Sequence, residues 1–234
     1  MSEIIEFKNV SKEYCVGEKK LLAADHISFG ISEGEFVVIL GPSGAGKSTV
    51  LNLLGGMDVA TSGEIIAGGD IITNYNDIAL TNYRATKVGF VFQFYNLIPS
   101  LTALENVALT KNIVKKPLDA AEVLSSVGLS EHLNKFPSQL SGGEQQRVSI
   151  ARAICKNPSM LLCDEPTGAL DSETGILILS ILQELSRAQH KTVIIVTHNT
   201  TLAQAADKVI RLKNGKVRDI LLNDAPLPIS EVNW

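Results

Sequence analysis

A glycine-rich stretch between an apolar run and a helix-like run constrains this chain more than any other feature. Gly41–Thr49 reads GPSGAGKST, after the nearly all-apolar run Glu35–Leu40 and before Val50–Leu54. The first run predicts a buried parallel strand and the second a helix. Glycines allow successive backbone N–H groups to face one polyphosphate, and a helix N-terminus adds partial positive charge. The stretch therefore predicts a nucleotide phosphate loop rather than an ordinary glycine-rich turn.

The side chains of this loop fit the same chemistry. Lys47 would reach the β- and γ-phosphates, and the Ser48 hydroxyl would complete the shell of Mg²⁺. The candidate phosphate-binding residues are Gly41, Pro42, Ser43, Gly44, Ala45, Gly46, Lys47, Ser48 and Thr49.

Composition narrows the class of protein. With 234 residues and 45% hydrophobic content, the chain can bury a sizeable core without disulfides. A net charge of −4 argues against coating nucleic acid as the main activity, so we expect no nucleic-acid partner. Cys15, Cys155 and Cys163 are widely spaced and form no CxxC pair, which indicates neither a disulfide framework nor a zinc site. A reducing cytoplasm fits this pattern best.

Targeting segments are not predicted. The N-terminus lacks the basic and apolar regions of a secretory signal. The longest apolar runs, such as Ile176–Leu179, are far shorter than the roughly 18–20 residues of a spanning helix. If the protein serves a membrane, another chain is expected to cross it.

Strands are predicted before the phosphate loop and after it. Ile5–Val10 and Ala24–Phe29 alternate apolar with polar residues, and Thr61–Gly69 contains a run bracketed by turns. Tyr14 lies in the polar segment Ser11–Tyr14, which predicts a connection. Its ring either stacks on a base or is a half-buried anchor at a strand end, and the spacing leaves both open.

From about residue 97 to 156 the alternating pattern of apolar residues is lost, and the sequence predicts helices instead. Leu101–Leu109 and Leu118–Val127 predict helices, the second ended by Gly128. After the interruption at Pro137–Gly143, Glu144–Lys156 predicts a helix whose first N–H groups follow two glycines. We expect a helical lobe inserted into an α/β core, with a second potential anion site at this helix start.

Polar side chains follow three further buried strands. Gln93 ends Lys87–Gln93, Asp164 and Glu165 end the run from 159, and His198 follows the run 191–197. In a doubly wound sheet these ends share one edge, where ligands bind. Adjacent carboxylates there suit Mg²⁺ and a reacting water, although a strand-capping Asp with a solvated Glu is the alternative. The phosphate loop upstream favours the metal interpretation.

The last third of the chain predicts three more features. Asp171 and Ser172 cap a helix from Glu173 to Ala188. Lys208–Leu212 and Lys216–Ile220 predict a hairpin. Residues 222–234 predict an extended tail in which Trp234 anchors either on this subunit or on a partner.

Together these motifs resemble the nucleotide-binding subunit of ATP-binding cassette (ABC) transporters over about residues 4–220. Leu140–Gln146, which reads LSGGEQQ, resembles the signature motif of that family and is far more specific than a phosphate loop. The resemblance implies an α/β fold with a P-loop NTPase core, a small antiparallel β subdomain and an inserted helical subdomain at about 97–156. It assigns 1–221 to the nucleotide-binding domain and 222–234 to a C-terminal tail.

The resemblance also implies roles for single residues. Tyr14 matches the aromatic that stacks on adenine, and Gln93 the glutamine that senses Mg²⁺ and the attacking water. Asp164 matches the acid that holds the metal, Glu165 the catalytic glutamate and His198 the histidine that contacts the γ-phosphate. Further matches are the catalytic Lys47, the metal ligand Ser48, and Asp171 in the D-loop of the nucleotide site. Every catalytic position fits, which implies an active ATP hydrolase with ATP and Mg²⁺ as its ligands.

The implied mechanism needs two copies of the chain. They would meet head to tail, with ATP between the phosphate loop of one and Ser141, Gly142 and Gly143 of the other. The implied second partner is an integral-membrane permease that docks on the segment after Gln93, at the cytoplasmic face of the cell membrane. The apolar side chains of Phe94–Ile98 suit such a groove or, equally, the core of the helical lobe.

A narrower resemblance concerns Leu54–Asp58, Gly89–Val107 and Glu165–Asp171. They are similar to the subgroup of macrolide exporters, antimicrobial-peptide exporters and lipoprotein-releasing systems, whose permeases have large extracytoplasmic regions. A periplasmic or extracytoplasmic adaptor would be a further partner. The alternative is a non-transport ABC ATPase that acts on ribosomes, chromosomes or cofactor assembly. A small-molecule P-loop kinase would need a substrate lid and leaves Leu140–Gln146 unexplained.

Overall fold

The described chain forms two β-sheets, a four-stranded antiparallel one and a six-stranded, mostly parallel one. The computed structural model describes residues 3–17 and 19–232. In chain order the strands and helices are β1 (Glu3–Val16), β2 (Lys19–Ser32), β3 (Phe36–Leu40), α1 (Lys47–Leu54), β4 (Ser62–Ala67), β5 (Asp70–Ile71), α2 (Asp77–Thr86), β6 (Val88–Val91), α3 (Ala103–Ala108), α4 (Ala120–Ser126), α5 (Gly142–Cys155), β7 (Met160–Asp164), α6 (Ser172–Gln189), β8 (Thr192–Thr197), β9 (Lys208–Lys213) and β10 (Lys216–Leu222). Within these residues no helix is long and apolar enough to cross a membrane.

The antiparallel sheet has the order β2-β1-β4-β5. β1 pairs with β2 along its whole length, with register shifts on both sides of Lys12. The predicted connection at Ser11–Tyr14 is therefore wrong, because β1 continues through it and Tyr14 pairs with Leu21. Polar residues can continue such a strand because one face of an antiparallel sheet is free to meet water.

The second sheet has the order β10-β9-β3-β8-β7-β6, with β9, β3, β8, β7 and β6 parallel and β10 antiparallel to β9. Both of its faces are covered, which explains the continuous apolar strands. Phe36, Val38 and Leu40 of β3 pack toward the cluster formed by α3–α6, whereas Val37 and Ile39 pack toward α1 and the antiparallel sheet. Pairs such as Leu40 with Thr197 and Asp164 with Val196 align the strand ends at one edge, as predicted.

Helices α3, α4 and α5 lie between β6 and β7 in the chain, and they pack against one another. α5 begins at Gly142, two residues before the predicted start at Glu144, because Ser141 is its N-cap and forms a capping box with Glu144. The predicted helices at 101–109 and 118–127 are shorter than expected but present.

Two regions differ from the sequence predictions. α2 was not predicted, since only Leu80 and Tyr83 of this helix are buried and its apolar periodicity is weak. The tail was predicted as extended, but Ile229 and Val232 are buried in the core and the Ile229 N–H donates to Gln183 Oε1 at 3.0 Å. Ile229–Glu231 form a short 3-10 helix, so the prediction of an extended tail is wrong for this part, while Trp234 lies outside the described residues.

Candidate nucleotide site

A cavity of about 690 Å³ opens where the phosphate loop meets the end of β7. Its size is typical of a small-molecule site. It is lined by Tyr14, Leu21, Leu22, Ala23, Ser43, Gly44, Gly46, Lys47, Ser48, Thr49, Gln93, Asp164, Glu165, Asn214 and Gly215.

The first turn of α1 differs from that of every other α-helix in the described chain. Gly46 is its N-cap, no side chain accepts from its first N–H groups, and no acidic residue lies in its first turn. α2 to α6 all have a side-chain cap, supplied by Asn76, Thr102, Asp119, Ser141 and Asp171. An uncapped helix start on a cavity leaves backbone donors and partial positive charge for an external anion.

Lys47 lies folded against the loop that precedes it. Its side chain is 8% exposed, and its ammonium donates to the carbonyl oxygens of Gly41 at 2.8 Å and Pro42 at 3.2 Å. Both acceptors are neutral, and Lys47 forms no ion pair with a carboxylate of the described residues. The charge can therefore attract a phosphate in the cavity.

Asp164 and Ser48 form the part of the site that suits a divalent cation. The Ser48 hydroxyl donates to Asp164 Oδ1 at 3.4 Å. Burial, together with the charge of Glu165, raises the pKa of Asp164, and the Ser48 hydrogen bond and Lys47 oppose the rise. A bound cation would relieve this cost, and Mg²⁺ uses one or two carboxylates together with substrate phosphates. Asp164, with the Ser48 hydroxyl beside it, supplies such a carboxylate, so these residues fit Mg²⁺. Among the described residues no cluster of three or more His, Cys, Asp or Glu side chains that could hold a metal is found.

Glu165 is held in one orientation by the residues that follow β8. Its Oε2 accepts from the Thr197 hydroxyl at 2.8 Å, and its Oε1 accepts from the His198 N–H at 3.0 Å and lies 2.9 Å from His198 Nδ1. Its backbone has a φ of 45°, which is strained for a residue with a side chain. Several contacts thus fix the carboxylate at the cavity wall.

Gln93 and His198 were both predicted to meet the γ-phosphate end of the site. Gln93 lines the cavity beside Asp164 and Glu165. The His198 side chain is 72% exposed and does not line the cavity, but contacts Glu165 and faces a neighbouring cavity with Gly41 and Pro42. The structure therefore brings His198 to Glu165.

The signature residues lie outside this cavity. Glu144 Oε2 accepts from the Ser141 N–H at 2.7 Å, and the Ser141 hydroxyl accepts from the Glu144 N–H at 3.3 Å. Glu144 Oε1 lies 2.8 Å from His132 Nε2. Gly142 and Gly143 form the first turn of α5, and Asp171 caps α6 by accepting from the Thr174 N–H at 2.9 Å. None of these four predicted binding residues reaches the cavity of its own chain.

Tyr14 also lines the cavity, as do Leu21 and Leu22, and it pairs with Leu21 across β1 and β2. Its hydroxyl donates to Asp58 Oδ2 at 2.6 Å. Leu21 and Leu22 are exposed apolar residues that the sequence analysis did not single out. Two adjacent leucines in an alternating strand place one apolar side chain on each face, and that signal could have found them. Asn214 and Gly215 were predicted only as part of the hairpin turn.

Comparisons with known proteins agree with this architecture. The sequence model of the ABC transporter family matches residues 24–168, more than half of the chain. The uncharacterized ABC transporter ATP-binding protein MJ0796 of Methanocaldococcus jannaschii is 46% identical over 223 residues, which cover 92% of this chain and 95% of that protein. Rv0986 of Mycobacterium tuberculosis, an uncharacterized ABC transporter ATP-binding protein, is 43% identical over 219 residues, or 92% of this chain and 88% of that protein.

Solved structures give the same result. The MJ0796 cassette, solved as a dimer in a post-hydrolysis state bound to ADP and Pi, superposes with a TM-score of 0.86 at 43% identity, covering 93% of this chain and 98% of that one. The predicted family, the α/β fold of the ABC ATPases, the ATP hydrolase activity and the ligands ATP and Mg²⁺ are thereby confirmed. This chain belongs to the ABC transporter family and is one of its ATP-binding cassettes.

Proposed function

We propose that this chain hydrolyses ATP in an ATP-sandwiched homodimer that energises a membrane exporter of the macrolide, antimicrobial-peptide or lipoprotein-release type. One observation carries the catalytic part of the proposal. The uncapped start of α1 and the carboxylates at the end of β7 line one cavity, which also contains Tyr14. Base, phosphate chain and attacking water can thus be accommodated along a single path.

The residues at the carboxylate pair would promote in-line attack of a water molecule on the γ-phosphorus of ATP. A bond forms between the water oxygen and the γ-phosphorus while the bond to the bridging β–γ oxygen breaks, and ADP and inorganic phosphate result. Glu165 orients the water, and His198 and Thr197 keep Glu165 in place. Lys47 and the α1 N–H groups stabilise the negative charge on the phosphate oxygens. Ser48, Gln93 and Asp164 would hold Mg²⁺, which neutralises charge on the β- and γ-phosphates when bound.

The dimer accounts for the predicted binding residues that lie outside the cavity. Ser141, Gly142 and Gly143 form a helix start that contacts no part of the cavity of its own chain. In a head-to-tail pair, they would close the site of the second copy, and Asp171 would lie at the same interface. The dimer bound to ADP and Pi reported for the MJ0796 cassette supports the dimer as such.

The permease interface is proposed at the segment after Gln93. Phe94 is 73% exposed and Ile98 is 41% exposed, whereas Leu97 packs against the core. Arg152 of α5 donates to the carbonyl oxygens of Asn96 at 2.8 Å and Tyr95 at 3.1 Å, which fixes the segment beside Gln93. An exposed apolar pair on a fixed segment suits docking of a membrane partner.

This interface defines the proposed organisation of the complex. The subunit is a peripheral one at the cytoplasmic face, with an extracytoplasmic adaptor as a further partner of the complex. Residues 1–221 are the proposed cassette, with a helical subdomain at about 97–156, and 222–234 follow as the C-terminal segment.

Glu165→Gln tests the catalytic and dimer parts together. The amide keeps the shape of the side chain and loses the charge that orients water. We expect phosphate release to stop and ATP, but not ADP, to shift the elution of the protein in gel filtration from monomer to dimer. Glu33→Gln, an exposed glutamate in the turn between β2 and β3, is the matched control. Normal turnover by Glu165→Gln would contradict the role of Glu165, and a monomer at saturating ATP would contradict the dimer.

The exporter assignment needs a separate experiment. The chain should co-purify from membranes with an integral permease. A Phe94→Asp substitution should abolish this co-purification while the chain still binds ATP. Co-purification with ribosomes or with chromosomal proteins instead would favour the non-transport alternative.

A further inference from the structure

The segment Leu54–Asp58 starts at the last residue of α1 and has no role in the reaction described above. Its last residue, Asp58, contacts Tyr14, which lines the cavity. Asp58 Oδ2 accepts from the Tyr14 hydroxyl at 2.6 Å, and Asp58 Oδ1 accepts from the Lys12 ammonium at 2.5 Å. The side chains of Lys12 and Tyr14, both on β1, therefore converge on one carboxylate from a distant part of the sequence.

Asp58 is itself fixed to α1. The N–H groups of Met57 and Asp58 donate to the carbonyl oxygen of Asn52 at 2.9 Å and 3.3 Å. The Val59 N–H donates to Asp58 Oδ1 at 2.7 Å. The helix that begins at the phosphate loop is thus followed directly by the segment that contacts Tyr14, so α1 connects the phosphate loop to Asp58.

The charges in this cluster support an ordered ring. Burial opposes ionisation of Asp58, but hydrogen bonds from Lys12, Tyr14 and the Val59 N–H outweigh it and lower the pKa of the carboxyl group. Burial, and then the hydrogen bond to Asp58, raise the pKa of Tyr14 against an opposing hydrogen bond with Thr49, so the hydroxyl keeps its proton. The Lys12 ammonium lies over the ring, 4.9 Å from its centroid. One face of the ring is thus occupied by a cation, which leaves the other face for a base.

We propose that Asp58 is a positioning residue for nucleotide binding, which holds the Tyr14 ring in the orientation that stacks on the adenine of ATP. The proposal rests on the function proposed above, in which Tyr14 contacts the base. Asp58 itself does not line the cavity. Asp58 limits the orientations that the Tyr14 ring adopts before ATP binds. The ring therefore loses less conformational entropy when it stacks on the base.

The proposal predicts a loss that depends on the base. Tyr14→Ala should weaken ATP binding roughly 5- to 150-fold, the equivalent of about 1–3 kcal/mol of base–aromatic stacking. Asp58→Ala should weaken ATP binding about three- to tenfold, because the ring remains but is no longer oriented. Binding of inorganic tripolyphosphate with Mg²⁺, which has no base, should change less than twofold in either variant. In turnover, KM for ATP should rise and kcat at saturating ATP should stay within about twofold.

The experiment measures affinities for ATP and tripolyphosphate by calorimetry on the full chain and its variants. Asp58→Asn, which keeps the size of the side chain, serves if Asp58→Ala fails to fold. Glu64→Ala is the matched control, an exposed acidic residue on β4 of the same sheet. Tyr14→Phe removes the donor, and in that background Asp58→Ala should lose most of its effect on ATP.

The outcomes separate the inference from the function on which it rests. Equal weakening of ATP and tripolyphosphate by Asp58→Ala would overturn the inference, since Asp58 would then support the whole loop. A loss with Tyr14→Ala but none with Asp58→Ala would overturn the inference and leave the adenine stack intact. Unchanged ATP binding by Tyr14→Ala would overturn both. A loss specific to ATP that disappears in the Tyr14→Phe background supports the proposal.

Discussion

Replacing Gly46 with alanine tests how tightly the phosphate loop is packed against the antiparallel sheet. Gly46 has a φ of 96°, a left-handed conformation that costs an ordinary residue about 1–2 kcal/mol. A Cβ atom there would also overlap the carbonyl oxygen of Ala23 in β2, and a paired strand cannot move aside cheaply. Overpacking of this kind costs about 1–3 kcal/mol. We therefore expect Gly46→Ala to lower the free energy of unfolding by about 2–5 kcal/mol.

Gly44 provides a matched control in the same loop. Its φ is 77°, but no heavy atom lies within 4 Å of the position of a Cβ atom. Gly44→Ala should thus cost only the conformational part, about 1–2 kcal/mol. For a chain of this length these losses correspond to falls in Tm of roughly 2–8 °C for Gly44→Ala and 4–20 °C for Gly46→Ala.

The assay is urea denaturation and calorimetry without nucleotide, because a ligand that binds only the folded state would add its own stabilisation. The difference between the two variants isolates the overlap with Ala23. Equal losses would show that strain in φ accounts for everything and that the loop is not pressed against β2. A Gly46→Ala protein as stable as the original would refute the loop conformation itself.

Two further predictions concern the ends of α5, at its C-cap Lys156 and in its first turn. Burial and the nearby Arg152 charge lower the pKa of Lys156 to about 8, against 10.5 for the ordinary group, so the folded protein releases this proton before the unfolded chain does. The free energy of unfolding should therefore rise by about 2 kcal/mol between pH 8 and 10.5. Lys156→Met should remove that rise in denaturation curves measured across this range. A variant with the pH profile of the original protein would contradict the burial of the ammonium. Glu144→Ala removes half of the capping box and should cost about 1 kcal/mol, or roughly 2–4 °C in Tm by calorimetry. A Tm equal to that of the original protein would show that the His132 and Ser141 contacts add nothing to stability.

Much of the fold could be predicted because its elements are locally consistent. β3, β7 and β8 are short, mostly apolar runs, and β7 and β8 end on the polar residues Asp164 and Thr197. This pattern predicts a doubly covered parallel sheet without knowledge of tertiary contacts. α2 lacked such a signal, although Asn76 followed by Asp77 is a helix start that could have been recognised. The buried Ile229 and Val232 could not be predicted, because their partners on α6 are distant in sequence and nothing local indicates burial.

The candidate site divides in the same way. The loop and the carboxylate pair depend on short stretches whose order along the chain determines their geometry. The contact between Asp58 and Tyr14 joins residues 44 positions apart, and it depends on the register of β1 and on the length of α1. The position of His198 against Glu165 depends on the rotamers of both side chains, which the sequence does not determine.

In the proposed homodimer, the two glycine-bearing helix starts would allow nucleotide binding and dimer closure to be separate steps. α1 has no side-chain cap, so a polyphosphate supplies the acceptors that its first turn lacks, and this requires one chain only. α5 is already capped by Ser141 in the monomer and is therefore stable while its surface is empty. The Ser141 hydroxyl accepts in this cap and still has its hydrogen to donate, so a phosphate held by a second copy could bind without breaking the cap. The energy of closure would then come from the new contacts alone, because neither helix start has to be rebuilt when the two copies meet.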